Sequence, residues 1–305
     1  MTAFNVYAYG VVSSSTLYRI DGDFPGAEGY AEITDALPMT GGEATNSSIV
    51  LSRLGASVKL DGNWLGDNDG GKRTKRLLEG YGIDTSRLPL RENHTGVEEV
   101  VFAAGDTRTI FGTYVKLQRQ ASWNLPQDED ISNAQVVCLD PFFKEPAAHA
   151  ARVAFGAGIP VVTVDCRYDN PILAHTAAVV IAESFIQEHY PGADLEDLFR
   201  RYQSKHRGLT IFTFGNKPAW FARPAQPIQR FTPFPVDAVD TSGGGDSFRA
   251  GIVYGFLHGW DDERMVAFAS AVAAIVCTRF PGVIQAPALD EVESFMAAAG
   301  EANNV

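Results

Sequence analysis

The chain has 305 residues, 45% hydrophobic and 20% charged, an ordinary globular composition with enough length for a large core in a single domain spanning 1–305. A formal net charge of -12 provides no broad basic field, so neither nucleic acid nor an anionic membrane is expected as a partner. A polyanionic ligand would need a local cationic or amide-lined site. Cys138, Cys166 and Cys277 are far apart, and two of them sit in apolar strand-like runs. They read as buried thiols, not as a disulfide framework or a metal knuckle.

The opening MTAFNVYAYGVV has no basic n-region and reads as a first strand, with a cytoplasmic protein as the expectation. No run approaches the roughly 18 apolar residues of a membrane span. Strands are then predicted over Val6 to Val12, Val58 to Leu60, Ala134 to Leu139, Pro160 to Asp165, Ala178 to Ile181 and Leu209 to Phe214. Helices are predicted over Thr45 to Leu54, Gly71 to Tyr81, Pro146 to Ala157, Asp194 to Gln203, Gly245 to His258 and Asp262 to Val276. This alternation implies an α/β fold: a doubly wound, mostly parallel sheet with helices on both faces, and ligands at the carboxyl ends of the strands. Two segments, about 13–38 and 97–114, carry short alternating runs without helical period (YAEITDAL, VEEVVFAA, TRTIFGTYV). They suggest a small antiparallel sheet outside the main layer, serving as a lid with a face suited to a homodimer, or else simple edge hairpins.

The stretch VDTSGGGDSFRAG places three glycines where Phe248, Ile252, Val253 and Phe256 begin to recur at helical spacing. A helix N-terminus presents unpaired amides and the positive end of the helix dipole, so Gly243, Gly244 and Gly245 form a site suited to an anion. Asp246 is out of place there as an anion ligand. As a base accepting a proton from an attacking hydroxyl it fits, while the amides stabilise charge on a transferred phosphoryl group. A glycine turn followed by a dipole-complementing Asp is the plainer alternative.

Near the start, TGGEATNSSIVLSRLGASVKLDGNWLGDNDGG adds a glycine pair and a helix with small residues on its first turn. With VDTSGGGDSFRAG, and with LLEGYGI, TRTI, LTIFTFG and FASAVAAIVCTRFPG in order between and after, it resembles the PfkB carbohydrate kinases, the ribokinase-like family. The resemblance implies a ribokinase-like core with a β lid, and transfer of the ATP γ-phosphoryl group to a sugar or related hydroxyl. It makes Asp246 the catalytic base and Gly243 to Asp246 the anion hole. Gly41, Gly42 and Asn46 match its GGxxxN element for substrate hydroxyls. Thr213 and Gly215 fall where nucleotide contacts begin, Gly282 lies in the loop that passes the adenine, and Asp240 opens the segment that holds a monovalent cation in some relatives. Capping the turn is the other role open to Asp240.

The sequence also departs from the family pattern. Gly244 replaces an alanine, and Ser13 and Ser15 stand where Asn and Asp often meet the sugar. The N-x-x-E segment associated with Mg²⁺ lacks its Asn, leaving Glu183 as the acid in VIAESFIQE, either near the metal or as a helix-dipole partner. Lys217, Pro218 and Ala219 follow the TFG element in place of its usual glycine. Arg108 in TRTI suits a phosphate, sulfonate or carboxylate, a nucleotide phosphate, or a lid ion pair. Lys116, Arg119 and Arg167 are further cations for an anionic substrate, or solvated surface charge. Asp140 and Asp165 end buried strand patterns and are placed beside the site.

GGEATNSSIVLSRLGA and CTRFPGVI are similar to ketohexokinase-like members, which puts a ketose or furanose first as substrate class. A nucleoside kinase, with Tyr18, Phe24 and Tyr30 stacking on a base, is the alternative enzyme. A non-catalytic sugar or nucleotide sensor on the same fold is the alternative outside enzymes.

Overall fold

The computed structural model describes residues 4–104 and 107–302; residues 105 and 106 of the expected lid segment lie outside the described residues. The chain begins with β1 (Val6–Gly10), β2 (Ser13–Ile20), β3 (Ile33–Gly41) and α1 (Glu43–Arg53). It continues through β4 (Val58–Gly62), β5 (Leu65–Gly66), α2 (Asp69–Gly80), β6 (Leu90–Arg91), β7 (Val97–Ala104) and β8 (Thr107–Gly112). The middle holds α3 (Tyr114–Gln120), α4 (Asp128–Ser132), β9 (Val136–Leu139), α5 (Glu145–Gly156), β10 (Val161–Val164), β11 (Ala178–Ala182), α6 (Glu183–His189) and α7 (Leu195–Lys205). The last part is β12 (Leu209–Phe214), β13 (Lys217–Ala222), β14 (Gln229–Phe231), α8 (Gly244–Leu257), α9 (Asp262–Cys277) and α10 (Leu289–Ala302).

Eight strands form the main sheet in the order β14-β13-β12-β11-β10-β9-β1-β4. The pairings from β4 through β12 are parallel, and β13 and β14 add antiparallel strands at one edge. Successive side chains of a strand point to opposite faces, and the sequence uses both. Val6 and Ala8 of β1 enter one core with α1, α8 and α9, whereas Tyr7 and Tyr9 enter the other with α5 and α7. Burial on both faces explains the continuous apolar runs of β9, β10 and β11.

The chain leaves β1 for β4 on one side and later returns to β9 on the other, so the strand order reverses between β1 and β9. Their carboxyl ends are therefore the expected ligand crevice.

A second sheet, β3-β2-β7-β8, stands apart from the first. Its β2 and β7 run parallel, while β2–β3 and β7–β8 are antiparallel. It starts two residues after β1, and both linking residues are pinned. Val11 N–H donates to Asp140, and Val12 exchanges two hydrogen bonds with the Asn63 amide, at 2.7 and 2.9 Å. The predicted first strand, Val6 to Val12, thus ends early, because Asn63 and Asp140 capture the amides that would have continued the ladder.

Strands β13 and β14 and helices α3, α4, α6 and α10 were not predicted. Pro218 in KPAWFA argues against a strand, and it is accommodated because β13 begins there, at a turn near the sheet edge.

Candidate active site

Asp140, the first residue after β9, organises the crevice. It is fully buried. Its Oδ2 accepts from the amides of Val11 and Ala44, each at 3.0 Å, and its Oδ1 from Arg249 Nη1 at 2.6 Å. One carboxylate thereby ties the end of β1, the first turn of α1 and the first turns of α8. A buried carboxylate is tolerable only when it is paired and hydrogen-bonded in this way. Gly10 ends β1 so close to it that a β-carbon there would overlap the Asp140 carboxylate.

The glycine triplet opens α8. Gly243 is its N-cap at φ 74°, in the left-handed region, and no side chain caps the helix. A β-carbon on Gly243 would also overlap the Val283 side chain. The Gly244 amide turns back to Thr241 O at 3.2 Å. The amides of Gly245 and Asp246 belong to the first helical turn, where no intrahelical acceptor exists. This is the geometry of an anion site.

Gly244 has a local reason to lack the alanine common in the resembled motif. A β-carbon there would stand 3.0 Å from Cys277 Sγ. Gly244→Ala is expected to lower stability in thermal unfolding, by about 1–3 kcal/mol if Cys277 cannot move aside. Adding Cys277→Ala should recover part of that loss, and a double-mutant cycle showing simple additivity would mean the two positions do not compete.

Asp246 follows in the first turn of α8, and α1 holds it from the opposite side. Asn46 Nδ2 donates to Asp246 Oδ2 at 2.7 Å, and Ser47 Oγ donates to the Asp246 carbonyl at 2.9 Å. Burial pushes the Asp246 carboxyl up to about 6, opposed by the Arg249 charge and the Asn46 hydrogen bond. Its acidity places it close to the range suited to a base at neutral pH.

Glu43, the first residue of α1, joins this group although nothing in the sequence reading singled it out. Burial, Asp140 and Asp246 raise its carboxyl well above the ordinary value. Its position in GGEATN, directly after the glycine pair and at a helix N-terminus, was the available signal. Arg249 was also missed. It sits three residues beyond Asp246, the single charge in the apolar run FRAGIVYG, and is completely buried.

The predicted substrate-side residues gather at the junction of α1 with the second sheet. Gly42 has φ 101°, and a β-carbon on it would overlap the Val11 carbonyl. Gly41 packs so that a β-carbon would lie 2.6 Å from Glu99 Oε1 and 2.7 Å from Ser13 Oγ. Ser13 and Ser15 are 0% and 2% exposed. Ser15 Oγ donates to Glu99 Oε1 at 3.0 Å, and the Tyr114 hydroxyl donates to the other carboxylate oxygen. Glu99, on β7, thus places a carboxylate beside Ser13 and Ser15.

Arg108, on β8, is exposed, and its charge acts on both Asp246 and Cys277. Lys116 and Arg167 have polar partners nearby, Thr95 and Asp169.

The nucleotide-side residues lie on other strand ends. Thr213 is the penultimate residue of β12, and Gly215 forms the tight turn into β13 at φ 63°, with open space around it. Glu183 opens α6 after β11 and pairs with Lys217, Oε1 to Nζ 3.0 Å. Asp240 accepts from the amides of Ser242 at 2.8 Å and Gly282 at 3.2 Å, so it caps its own turn and joins it to the loop containing Gly282. That loop meets the second sheet, where the Arg19 guanidinium lies 3.6 Å from the Phe280 ring centre. Among the described residues no group of three or more His, Cys, Asp or Glu is placed to hold a metal ion, and no helix is long and apolar enough to cross a membrane. The three cysteines are free thiols.

A mostly parallel α/β sheet with an uncapped glycine-rich helix N-terminus and a carboxylate beside it at the strand switch point suits the class of phosphotransferases. The model of the pfkB family carbohydrate kinases matches residues 27–288, and the chain belongs to that family. It is 28% identical over 305 residues to the ATP-dependent ribose-1-phosphate kinase of Halopiger xanaduensis, covering 95% of this chain and 97% of the relative. It is 37% identical over 288 residues to the 5-dehydro-2-deoxygluconokinase of Geobacillus thermodenitrificans, covering 84% of this chain and 83% of the relative.

Among solved structures, a ribokinase-like protein from Agrobacterium tumefaciens matches with a TM-score of 0.88 at 24% identity, covering 98% of this chain and 99% of the other. The ribokinase of Arabidopsis thaliana complexed with ribose and ATP matches at 0.79 and 18%, covering 96% and 98%. These likenesses carry the ribokinase-type fold, and the family match carries the enzyme class, a carbohydrate kinase.

Proposed function

We propose that this kinase transfers the γ-phosphoryl group of ATP to a hydroxyl of a small sugar, with ketoses and furanoses as the favoured class. The observation that carries this reading is the Asp246 carboxylate at the open N-terminus of α8, held 2.7 Å from Asn46 of the substrate-side helix. Base and amide donors then flank one reacting centre. The acceptor hydroxyl would lie near Gly41, Gly42 and Asn46, with Glu99 and Glu43 available to its other hydroxyls. Asp246 would take its proton, and the amides of Gly245 and Asp246 would face the phosphoryl oxygens. Arg108 would add positive charge from the second sheet, which as a lid would exclude water.

Mg²⁺ would come with the nucleotide and would need few protein ligands, since this ion holds its waters tightly. When bound, it would supply positive charge against the phosphates. Glu183 is the acidic residue at hand, in exchange for its pairing with Lys217. A monovalent cation at Asp240 would have to share a carboxylate already bound to two amides. Equal turnover in potassium and in tetramethylammonium salts would remove that role.

A screen of the purified protein with MgATP against ribose, fructose, ribose 1-phosphate and nucleosides, with mass detection of products, tests the reading. A phosphorylated sugar supports it. Phosphorylation of nucleosides alone would overturn the sugar assignment, and ligand binding without any product would favour a sensor. The aromatic residues proposed for base stacking favour the sugar. Tyr18 and Phe24 pack on Phe102, with ring centres 5.4 and 5.7 Å apart, so they fill the second sheet's own aromatic cluster.

The same sheet suits a homodimer. Its outer strands β3 and β8 expose Ile33, Ile110 and Phe111, and Tyr30 in the connecting loop is 83% exposed. Exposed apolar side chains at sheet edges are candidates for association. Light scattering is expected to give twice the chain mass of 33.0 kDa, and Phe111→Lys to shift it toward the monomer. A wild-type monomer at micromolar concentration would sink the idea.

A further inference from the structure

Arg249 is an unusual component of this site. A guanidinium with no solvent exposure lies three residues beyond the proposed base, beneath the crevice floor. Its Nη1 meets Asp140 Oδ1 at 2.6 Å and its Nε donates to Ser47 Oγ at 3.0 Å, while Nη2 has no hydrogen-bond partner among the described residues. Ser47 Oγ in turn donates to the Asp246 carbonyl at 2.9 Å, and Asp140 accepts from the Ala44 amide at 3.0 Å. The path Ala44, Asp140, Arg249, Ser47, Asp246 is therefore a chain of four hydrogen bonds across the first turns of α1 and α8, and the backbones of the two helices close it into a ring.

A buried ion pair is poor evidence for stability, because desolvation offsets its attraction. A ring linking the two helices that carry the substrate-side amide and the base points to another use. We propose that Arg249 is a positioning residue for phosphoryl transfer, holding Asp246 and the first turn of α1 in one frame from beneath. This rests on Asp246 being the base. The planar, two-armed guanidinium reaches Asp140 and Ser47 at once, and a lysine ammonium offers no such fork.

Its charge has a second effect. The charged groups acting on Asp246 are Arg249 on its own helix, Asp140 after β9, Glu43 on α1 and Arg108 on β8. Among them Arg249 favours the carboxylate form over the protonated one most strongly. Position and charge can be separated by substitution. Arg249→Lys keeps the charge and loses the fork, Arg249→Met loses both, and Ser47→Ala breaks the ring while leaving the buried pair intact.

The first readout needs no substrate. In protein carrying ¹³C-aspartate, the Asp246 carboxyl resonance, identified by its disappearance in Asp246→Asn, is expected to titrate near 6 in the wild type and in Ser47→Ala. In Arg249→Met the midpoint should rise by about one pH unit, as loss of a nearby opposite charge requires. The second readout is turnover of whichever sugar the screen yields. Arg249→Lys and Ser47→Ala are each expected to lose roughly tenfold to a hundredfold in kcat, the scale of a small misplacement of reacting groups, with the ATP KM changed less than threefold.

Folded Arg249→Met with a wild-type midpoint, or Ser47→Ala with wild-type kcat, overturns the proposal. Should Arg249→Met fail to fold, Ser47→Ala decides by itself, since it removes one hydroxyl. Asp246→Asn separates the two readings: if it stays active the base assignment fails, whereas a dead Asp246→Asn beside indifferent Ser47 and Arg249 variants refutes only the positioning role.

Discussion

Asp246→Asn is expected to lower kcat by about 10²–10⁴-fold, the usual contribution of a positioned general base. The amide keeps an oxygen to accept from Asn46, so the contact at 2.7 Å survives and only the proton acceptor is lost. Substrate KM should change little, because nothing that holds the ground-state sugar is removed. Wild-type turnover in the folded variant would remove Asp246 from the chemistry.

The pH dependence follows with opposite signs for activity and stability. Burial raises the Asp246 carboxyl from 3.8 to about 6, so the reactive carboxylate disappears as pH falls through about 6. The acid limb of log kcat/KM should break there, well above the range of an ordinary aspartate. The folded state binds this proton more tightly than the unfolded chain does. Its stabilising contribution is complete below about 3.8 and lost as pH rises through about 6. Asp246→Asn should therefore unfold no earlier than the wild type at pH 7, while the wild type should gain relative to it as pH falls from 7 to 5. The reverse trend in paired thermal melts would contradict the raised pKa of Asp246.

The second large effect is structural. Gly42→Ala should destabilise the protein by on the order of 3 kcal/mol or more, since the residue sits at φ 101° and its new β-carbon would overlap the Val11 carbonyl. A flexible side chain can move aside, but backbone pinned to Asp140 cannot do so without breaking a buried hydrogen bond. Gly80→Ala is the contrasting control. It lies at the end of α2 with nothing within 4 Å of the added carbon, so stability should hold or rise by about 0.4–1 kcal/mol. Equal melting temperatures for the two variants would show that the crevice wall yields more easily than its geometry indicates.

The sequence made the parallel core legible because its strands are buried on both faces and its two most buried helices are long apolar runs opened by Gly243–Gly245 and by Asp261. Thus β9 to β12 and α8 and α9 were readable, as was the helix N-terminus from three glycines before Phe248. Asp140 was placed beside the crevice from its position at a strand end. Less was visible where partners come from distant segments. Glu99 meets Ser15 across 84 residues and Arg249 meets Asp140 across 109, and a single sequence carries no local sign of either pairing. The small second sheet was read correctly as strands, yet β2 and β7 pair in parallel, an arrangement that alternation alone cannot distinguish. Asp240 was left between cation ligand and turn cap. Its two amide partners establish the cap, and the Gly282 contact is one that only the fold brings near.

Val11 and Val12, the two residues between β1 and β2, give the second sheet its leverage. Their amides are fixed by Asp140 and Asn63, so the sheet is attached to the crevice floor by a short, clamped joint. A swing of that sheet would strain those peptide units and the Gly41–Gly42 link to α1, both beside the residues proposed to meet the sugar. Ligand occupancy and lid angle would then be mechanically a single variable. A sugar that settles against Gly41 and Ser13 would be sensed by the cover before ATP chemistry begins.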